Sequence, residues 1–257
     1  FKLTSKMIGF SSFLLIITFF INTTSALAVS PVELRYFNAR GAAETSRIIL
    51  ALVGEEYKDT RYEITPGTMS SPDFNAAKES GELDANLSRA PVLIVGNDSV
   101  IGQSKAMERY LARKFDLMGD TEIEAAQIDC ISEHCRDVKA AEMKKGFSAF
   151  TRDKTDEEKA TARKEWFNED MSTMLGKIEK AVKISSGKEG FAVGTSTSYA
   201  DVEIFSLLQD CTMQADQEDT LNAARKAECS LLMAIADRIS KDKGVAEWIE
   251  KRPVTMF

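Results

Sequence analysis

The chain has 257 residues, 44% hydrophobic and 28% charged, enough apolar content to close one large core or two small ones. Acidic residues outnumber basic ones, 40 to 33, and the net charge of −7 argues against a sequence-independent nucleic-acid binder, which needs an excess of Lys and Arg. Fourteen glycines and five prolines leave no room for a long disordered tract.

Residues 8–21 read IGFSSFLLIITFFI, uncharged and followed by NTTSALA with the small-x-small pattern Ala26-Leu27-Ala28. An apolar run of about 14 residues is short for a membrane span and right for a signal-peptide core. Residues 1–28 therefore read as a signal peptide cleaved after Ala28, with an uncleaved membrane leader as the alternative. Met7 is an alternative initiator, and starting there would remove Lys2 and Lys6 from the positive leading segment. A working leader implies the secretory pathway or the exterior; an uncleaved one implies a membrane-anchored protein, and a non-functional one a cytoplasmic protein. Two sequons, Asn86-Leu87-Ser88 and Asn97-Asp98-Ser99, agree with secretion only weakly.

Residues 32–37 (VELRYF) alternate and are rich in strand formers. The Asn38-Ala39-Arg40-Gly41 turn leads to a helix over 43–53, with Ile48, Ile49 and Leu52 on its apolar face and Gly54 at its end. Residues 57–64 read as a second strand, which makes a βαβ unit with parallel strands. The polar stretch 65–89 carries one helical turn near Phe74 to Lys78. Residues 91–95 (PVLIV) and 99–101 form a hairpin around Gly96-Asn97-Asp98, and a helix runs over 104–115. After Gly119 no strand pattern remains, and helices are expected over 121–145, 156–183, 199–211, 229–241 and 245–251. The reading is α/β plus all-α: a thioredoxin-like domain (βαβ-α-ββα) over 32–116 and an all-helical domain over 121–257. Ser198-Tyr199-Ala200-Asp201 opens one of these helices as a capping box, a structural feature whose loss should cost about 1 kcal/mol.

Cys130, Cys135, Cys211 and Cys229 form no CxxC pair and have no histidine at zinc spacing, so no metal site is expected and the cysteines read as buried small apolar residues. His134, the only histidine, reads as a solvated helix residue.

Five segments in order carry a resemblance. Tyr-Phe-Asn-Ala-Arg-Gly-Ala-Ala-Glu (36–44), Ala-Pro-Val-Leu (90–93), Gly-Gln-Ser-Lys-Ala-Met-Glu-Arg-Tyr-Leu-Ala (102–112), Phe-Ala-Val-Gly with Ser-Tyr-Ala-Asp (191–201), and Val-Ala-Glu-Trp-Ile-Glu-Lys-Arg-Pro (245–253) resemble the motifs of cytosolic-type glutathione S-transferases. The likeness is nearest to the sigma class, which includes prostaglandin D synthases. It implies a homodimer and glutathione as co-substrate, joined to a small hydrophobic electrophile by alkyl or aryl transfer. A glutathione-dependent isomerase or peroxidase activity is a side possibility.

A free thiol of pKa about 8.5 is only a few per cent thiolate at neutral pH, and the thiolate is the nucleophile. A phenol at the end of the first strand can donate a hydrogen bond to that sulfur; about 3 kcal/mol of stabilisation lowers its pKa by roughly two units. By resemblance that phenol is Tyr36, and Arg40 supports it with positive charge and loop hydrogen bonds. From periodicity alone Tyr36 reads as a packed strand tyrosine. Gln103 and Ser104, at a helix N-terminus suited to an anion, would hold the γ-glutamyl carboxylate. Ala90 would offer backbone groups to the cysteinyl part, aimed inward by a cis bond to Pro91. Asp129 would reach the partner subunit's γ-glutamyl ammonium. The family's Trp and Lys for the glycyl carboxylate are not both matched: Phe74 stands four residues before Lys78, which is the candidate cation, with Arg89 as the alternative. The electrophile pocket is expected between the loop at 38–42 and the helix at 121–145. No cysteine lies in the first domain, which argues against thiol–disulfide exchange. The competing reading is a non-catalytic binding or structural protein on the same scaffold, the outcome illustrated by the family's lens crystallins.

Overall fold

The computed structural model describes residues 32–65, 67–148, 151–188, 190–210 and 216–255. The leader at 1–28 and Cys211 lie outside the described residues.

The first strand, β1 (Val32–Phe37), turns Val32 and Leu34 into the main core and Phe37 to the opposite face, as a period of two requires. A short 3-10 turn, Gly41–Ala43, leads into α1 (Glu44–Val53), which ends at Gly54. β2 (Lys58–Tyr62) returns parallel to β1. β3 (Val92–Val95) and β4 (Ser99–Gly102) form the expected hairpin, with β3 antiparallel to β1, giving the sheet order β2-β1-β3-β4.

The stretch 65–89 holds more structure than one helical turn. It contains α2 (Pro72–Glu79) and a 3-10 turn, Asp84–Asn86. Phe74 packs on Phe37 and Tyr62, with ring centroids 4.7 and 5.8 Å away, and joins Ala77, Leu83 and Val92 in a small core on the outer face of the sheet. So few apolar residues hold this segment that its sequence shows only the helical turn near Phe74 to Lys78.

The helices α3 (Ser104–Lys114) and α4 (Glu122–Lys145) follow, and Thr121 and Glu124 close a capping box at the start of α4. The single helix expected over 156–183 is instead α5 (Asp156–Glu165), a π-helical turn over Trp166–Asp170, and α6 (Met171–Ser185). The wider turn lets the neighbouring Trp166 and Phe167 both reach the core before the stripe of Met171, Leu175, Ile178 and Val182 continues there.

Every residue of α7 (Tyr199–Leu208) is buried. Asp201 caps its start, accepting the Ser198 N–H at 2.9 Å, the Ser198 hydroxyl at 2.6 Å and the Ala192 N–H at 3.1 Å. α8 (Gln217–Lys226), α9 (Ser230–Ser240) and α10 (Lys243–Lys251) complete the fold. The sequence did not announce α8, whose buried residues are only Thr220, Ala223 and Ala224, too small to raise a periodic signal.

Cys135 and Cys229 are buried as expected, but Cys130 is exposed, because it falls on the outer face of α4. His134, one turn on, is half-buried with its Nε2 3.4 Å from the Cys130 sulfur.

Candidate functional site

Tyr36 lies one residue from the end of β1, opposite Arg61 of β2. The antiparallel registers place Arg35 opposite Val92 and Val92 opposite Gly102. Carried one step further, they align Tyr36, Pro91 and Gln103 across the sheet. The row ends where α3 begins.

The Tyr36 hydroxyl accepts the Ala42 backbone N–H at 3.2 Å. Among the described residues it donates to none, so its own proton remains available to a ligand. Gly41, at φ +40°, makes this approach possible: a Cβ there would lie 2.6 Å from the Tyr36 oxygen.

Arg47 places a cation beside the Tyr36 ring. Its guanidinium carbon lies 6.0 Å from the ring centroid, and the side chain is fully buried. Arg47 donates to the Ala39 carbonyl at 2.7 Å and pairs with Glu44 at 3.1 Å and Asp59 at 3.2 Å, which fixes the loop that carries Gly41. Arg40 reaches the helical half, with Asp210 3.5 Å away. Asp210 also takes Arg252 at 2.5 Å, and Arg252 continues to Glu44 at 2.9 Å. Burial and the Glu44 charge push the Asp210 carboxyl up, opposed by Arg252 and Arg40. Sequence reasoning missed this network. Glu44 and Arg47 look like the polar positions of an amphipathic helix, and their neighbours Asp210 and Arg252 are distant in the chain.

Ala90 and Pro91 are joined by a cis peptide bond. The buried Asn86 holds the next part of the row. Its amide nitrogen donates to the Pro91 carbonyl at 2.8 Å, and its amide oxygen accepts the Gln103 N–H at 3.1 Å. Gly102 permits the contact, since a Cβ there would meet the Ala85 carbonyl at 2.5 Å. Both ends of the Asn86 side chain are therefore engaged inside the protein. A glycan at Asn86 would have to displace this buried contact, whereas Asn97 is exposed in the β3–β4 turn.

Gln103, at φ +64°, caps α3 without a side-chain bond to its backbone, and Ser104 is the first helical residue. Among the described residues the Gln103 amide and the Ser104 hydroxyl have no hydrogen-bond partner. With the N–H groups of the first turn they can receive an anion.

The other expected residues stand apart from this row. Lys78 is exposed on α2 with its ammonium 5.7 Å from the Phe74 ring centroid. Arg89 donates to the Asn86 carbonyl at 3.3 Å. Asp129 on α4 is paired with Arg109 of α3 at 2.9 Å. A cavity of about 570 Å³ takes Arg40 from the loop at 38–42, but α4 does not line it. Phe205, Ile249, Arg252 and Val254 are among its walls, so it opens between α7, α10 and the C-terminal tail. Among the described residues no group of three or more His, Cys, Asp or Glu could hold a metal.

Residues 32–113 match the family model for the glutathione S-transferase N-terminal domain, and residues 141–252 match a model for its C-terminal domain. Over 231 residues the chain is 28% identical to S-crystallin 4 of Enteroctopus dofleini, covering 87% of this chain and 98% of that one. Over 225 residues it is 29% identical to a probable glutathione S-transferase 5 of Caenorhabditis elegans, covering 88% and 98%. Among solved structures it is similar to a Pi-class glutathione S-transferase of Onchocerca volvulus, with a TM-score of 0.68, 26% identity, and 86% and 93% of the two chains covered.

Proposed function

The chain belongs to the glutathione S-transferase family, and from that premise we propose that it joins the glutathione thiolate to hydrophobic electrophiles, with Tyr36 stabilising the thiolate. One observation carries the reading. The Tyr36 hydroxyl is held by the Ala42 N–H with its proton unused, in the same row as Pro91 and the Gln103–Ser104 helix start.

In this mechanism the phenol donates to the cysteinyl sulfur and favours its ionised form. The thiolate attacks the electrophilic carbon, and the leaving group departs with the electron pair. Gln103, Ser104 and the first N–H groups of α3 hold the γ-glutamyl carboxylate. The backbone at Ala90 receives the cysteinyl amide, and Lys78 meets the glycyl carboxylate from solvent. Arg47 fixes the loop that aims the phenol, while Arg40 ties that loop to the helical half through Asp210.

The test is turnover of a chromogenic electrophile at about pH 6.5, below the ordinary thiol range. The unmodified protein turns over and is retained on immobilised glutathione. Tyr36→Phe is slower by roughly tenfold or more. Equal rates overturn the role of Tyr36; no retention and no turnover favour a non-catalytic binding protein.

A homodimer and entry to the secretory pathway complete the proposal. Sedimentation tests the first, and the mass of the mature N-terminus in its native host tests the second.

A further inference from the structure

Beneath the N-terminal turn of α3 lies a group of side chains that the thiol chemistry does not use. Lys105, the second residue of α3, places its ammonium 2.7 Å from Glu108 and 2.5 Å from Glu203 of α7. The Tyr199 hydroxyl lies 2.5 Å from Glu108 and 3.1 Å from Glu203. Glu108, Tyr199 and Glu203 are buried, and 19% of the Lys105 side chain is exposed. The second Glu203 oxygen is buried without a hydrogen-bond partner, and Lys139 of α4 stands 4.0 Å from it. Cys135 of α4 is the remaining titratable neighbour.

Two carboxyl groups so close do not both ionise readily. Burial and the Glu203 charge push Glu108 up to about 8, so it keeps its proton at neutral pH. Burial also opposes the charge on Glu203, but Lys139 and Lys105 outweigh it and hold that carboxyl down. The Tyr199 phenol is pushed up by burial and by both carboxylates. Burial, then Glu203, pushes the Cys135 thiol up to about 12, and both stay neutral. Two ammonium groups therefore face one carboxylate.

We propose that Lys105 is a positioning residue for the γ-glutamyl carboxylate: clamped between Glu108 and Glu203, it locks the first turn of α3 against α7 and adds positive charge at the Gln103–Ser104 seat. The inference rests on the glutathione reading above and extends it to residues outside the row. A helix N-terminus attracts an anion through free N–H groups, and a fixed cation in the same turn strengthens that attraction. When Glu108 ionises, the surplus charge vanishes and the seat weakens.

The test is calorimetric binding of S-methylglutathione, whose blocked thiol does not titrate, at about pH 6.5 and about pH 9, either side of the Glu108 transition. Lys105→Met should bind roughly tenfold more weakly at the lower pH, with KM for glutathione raised more than kcat is lowered, and Lys105→Arg should restore most of the loss. The unmodified protein should lose about threefold more affinity between the two pH values than Glu108→Gln, a comparison in which the ligand's own titration cancels. Should Lys105→Met fail to fold, the isosteric Glu108→Gln decides. Binding by Lys105→Met equal to the unmodified protein, or an unchanged pH response in Glu108→Gln, overturns the inference alone. No binding by the unmodified protein overturns the glutathione reading and the inference with it.

Discussion

The indole N–H of Trp248 donates to Glu44 at 2.8 Å, tying α10 to the first residue of α1 across 204 positions of sequence. Trp248→Phe keeps an aromatic ring, smaller by the pyrrole part, and removes the donor. Glu44 would still be paired with Arg47 and Arg252, so no buried charge is stranded. The expected loss is about 1–2 kcal/mol of unfolding free energy, read from the urea midpoint at constant slope. A variant as stable as the parent would show that the bond contributes nothing.

Gly41→Ala should damage activity without unfolding the protein. The new methyl would sit 2.6 Å from the Tyr36 oxygen, and the backbone there is at φ +40°. The loop or the phenol must move, and a misplacement of that size costs catalysis more than stability. Expected are a fall in kcat of roughly tenfold or more and an unfolding midpoint within about 1–2 kcal/mol of the parent. Parental kcat would mean that the position of the phenol is unimportant.

Asn86→Ala should strip partners from the Pro91 carbonyl and the Gln103 N–H together. Leaving the buried Pro91 carbonyl unsatisfied costs about 1–3 kcal/mol, and the part-buried Gln103 N–H adds less. A loss of stability with a raised KM for glutathione is expected, whereas Asn97→Ala in the exposed turn should alter neither. Mass spectrometry of protein from a glycosylating host should find no glycan at Asn86.

Stability should fall as pH rises through the neutral range. Burial and the Asp216 charge push Glu142 up to about 7. In the unfolded chain this carboxyl loses its proton near about 4.5, in the folded chain near 7. The folded state therefore binds the extra proton between those values, and stability drops across that window and levels above it. The drop is on the order of 3 kcal/mol for the full shift. Glu108 extends the same slope to about 8. Glu142→Gln should flatten the first part in a series of urea titrations from about pH 5 to 8; an unchanged slope would refute the assignment.

The parts of the fold with strong periodicity or a clear cap were legible in the sequence. β1, α1, the β3–β4 hairpin and the Ser198–Asp201 start of α7 all fall where alternation, Gly54 or the capping pattern places them. α8 and the π-turn at Trp166 were not, because small apolar residues and one extra residue in a helical turn leave no trace in a pattern, and of α2 only the turn from Phe74 to Lys78 showed. Within the site, Tyr36, Pro91 and Gln103 were named from motifs, but their alignment depends on strand register. Asn86 read only as a sequon, and its place between two strands follows from Gly102 and the close approach of Ala85. Lys105 and Glu108 drew no reading of their own within the 102–112 motif, because Glu203, which meets the Lys105 ammonium, is 98 residues from Lys105.

The row from Arg61 through Tyr36 and Pro91 to Gln103 also constrains how this chain can lengthen or shorten. Adding or deleting one residue inside β1, β3 or β4 would turn the following side chains to the opposite face and break the alignment. Between the second and third strands Asn86 holds the row, but the stretch 67–71 ahead of α2 takes no part in it. Insertions and deletions that keep the phenol opposite the helix start should therefore collect in that stretch and in the helix connections, while the three strand lengths stay fixed.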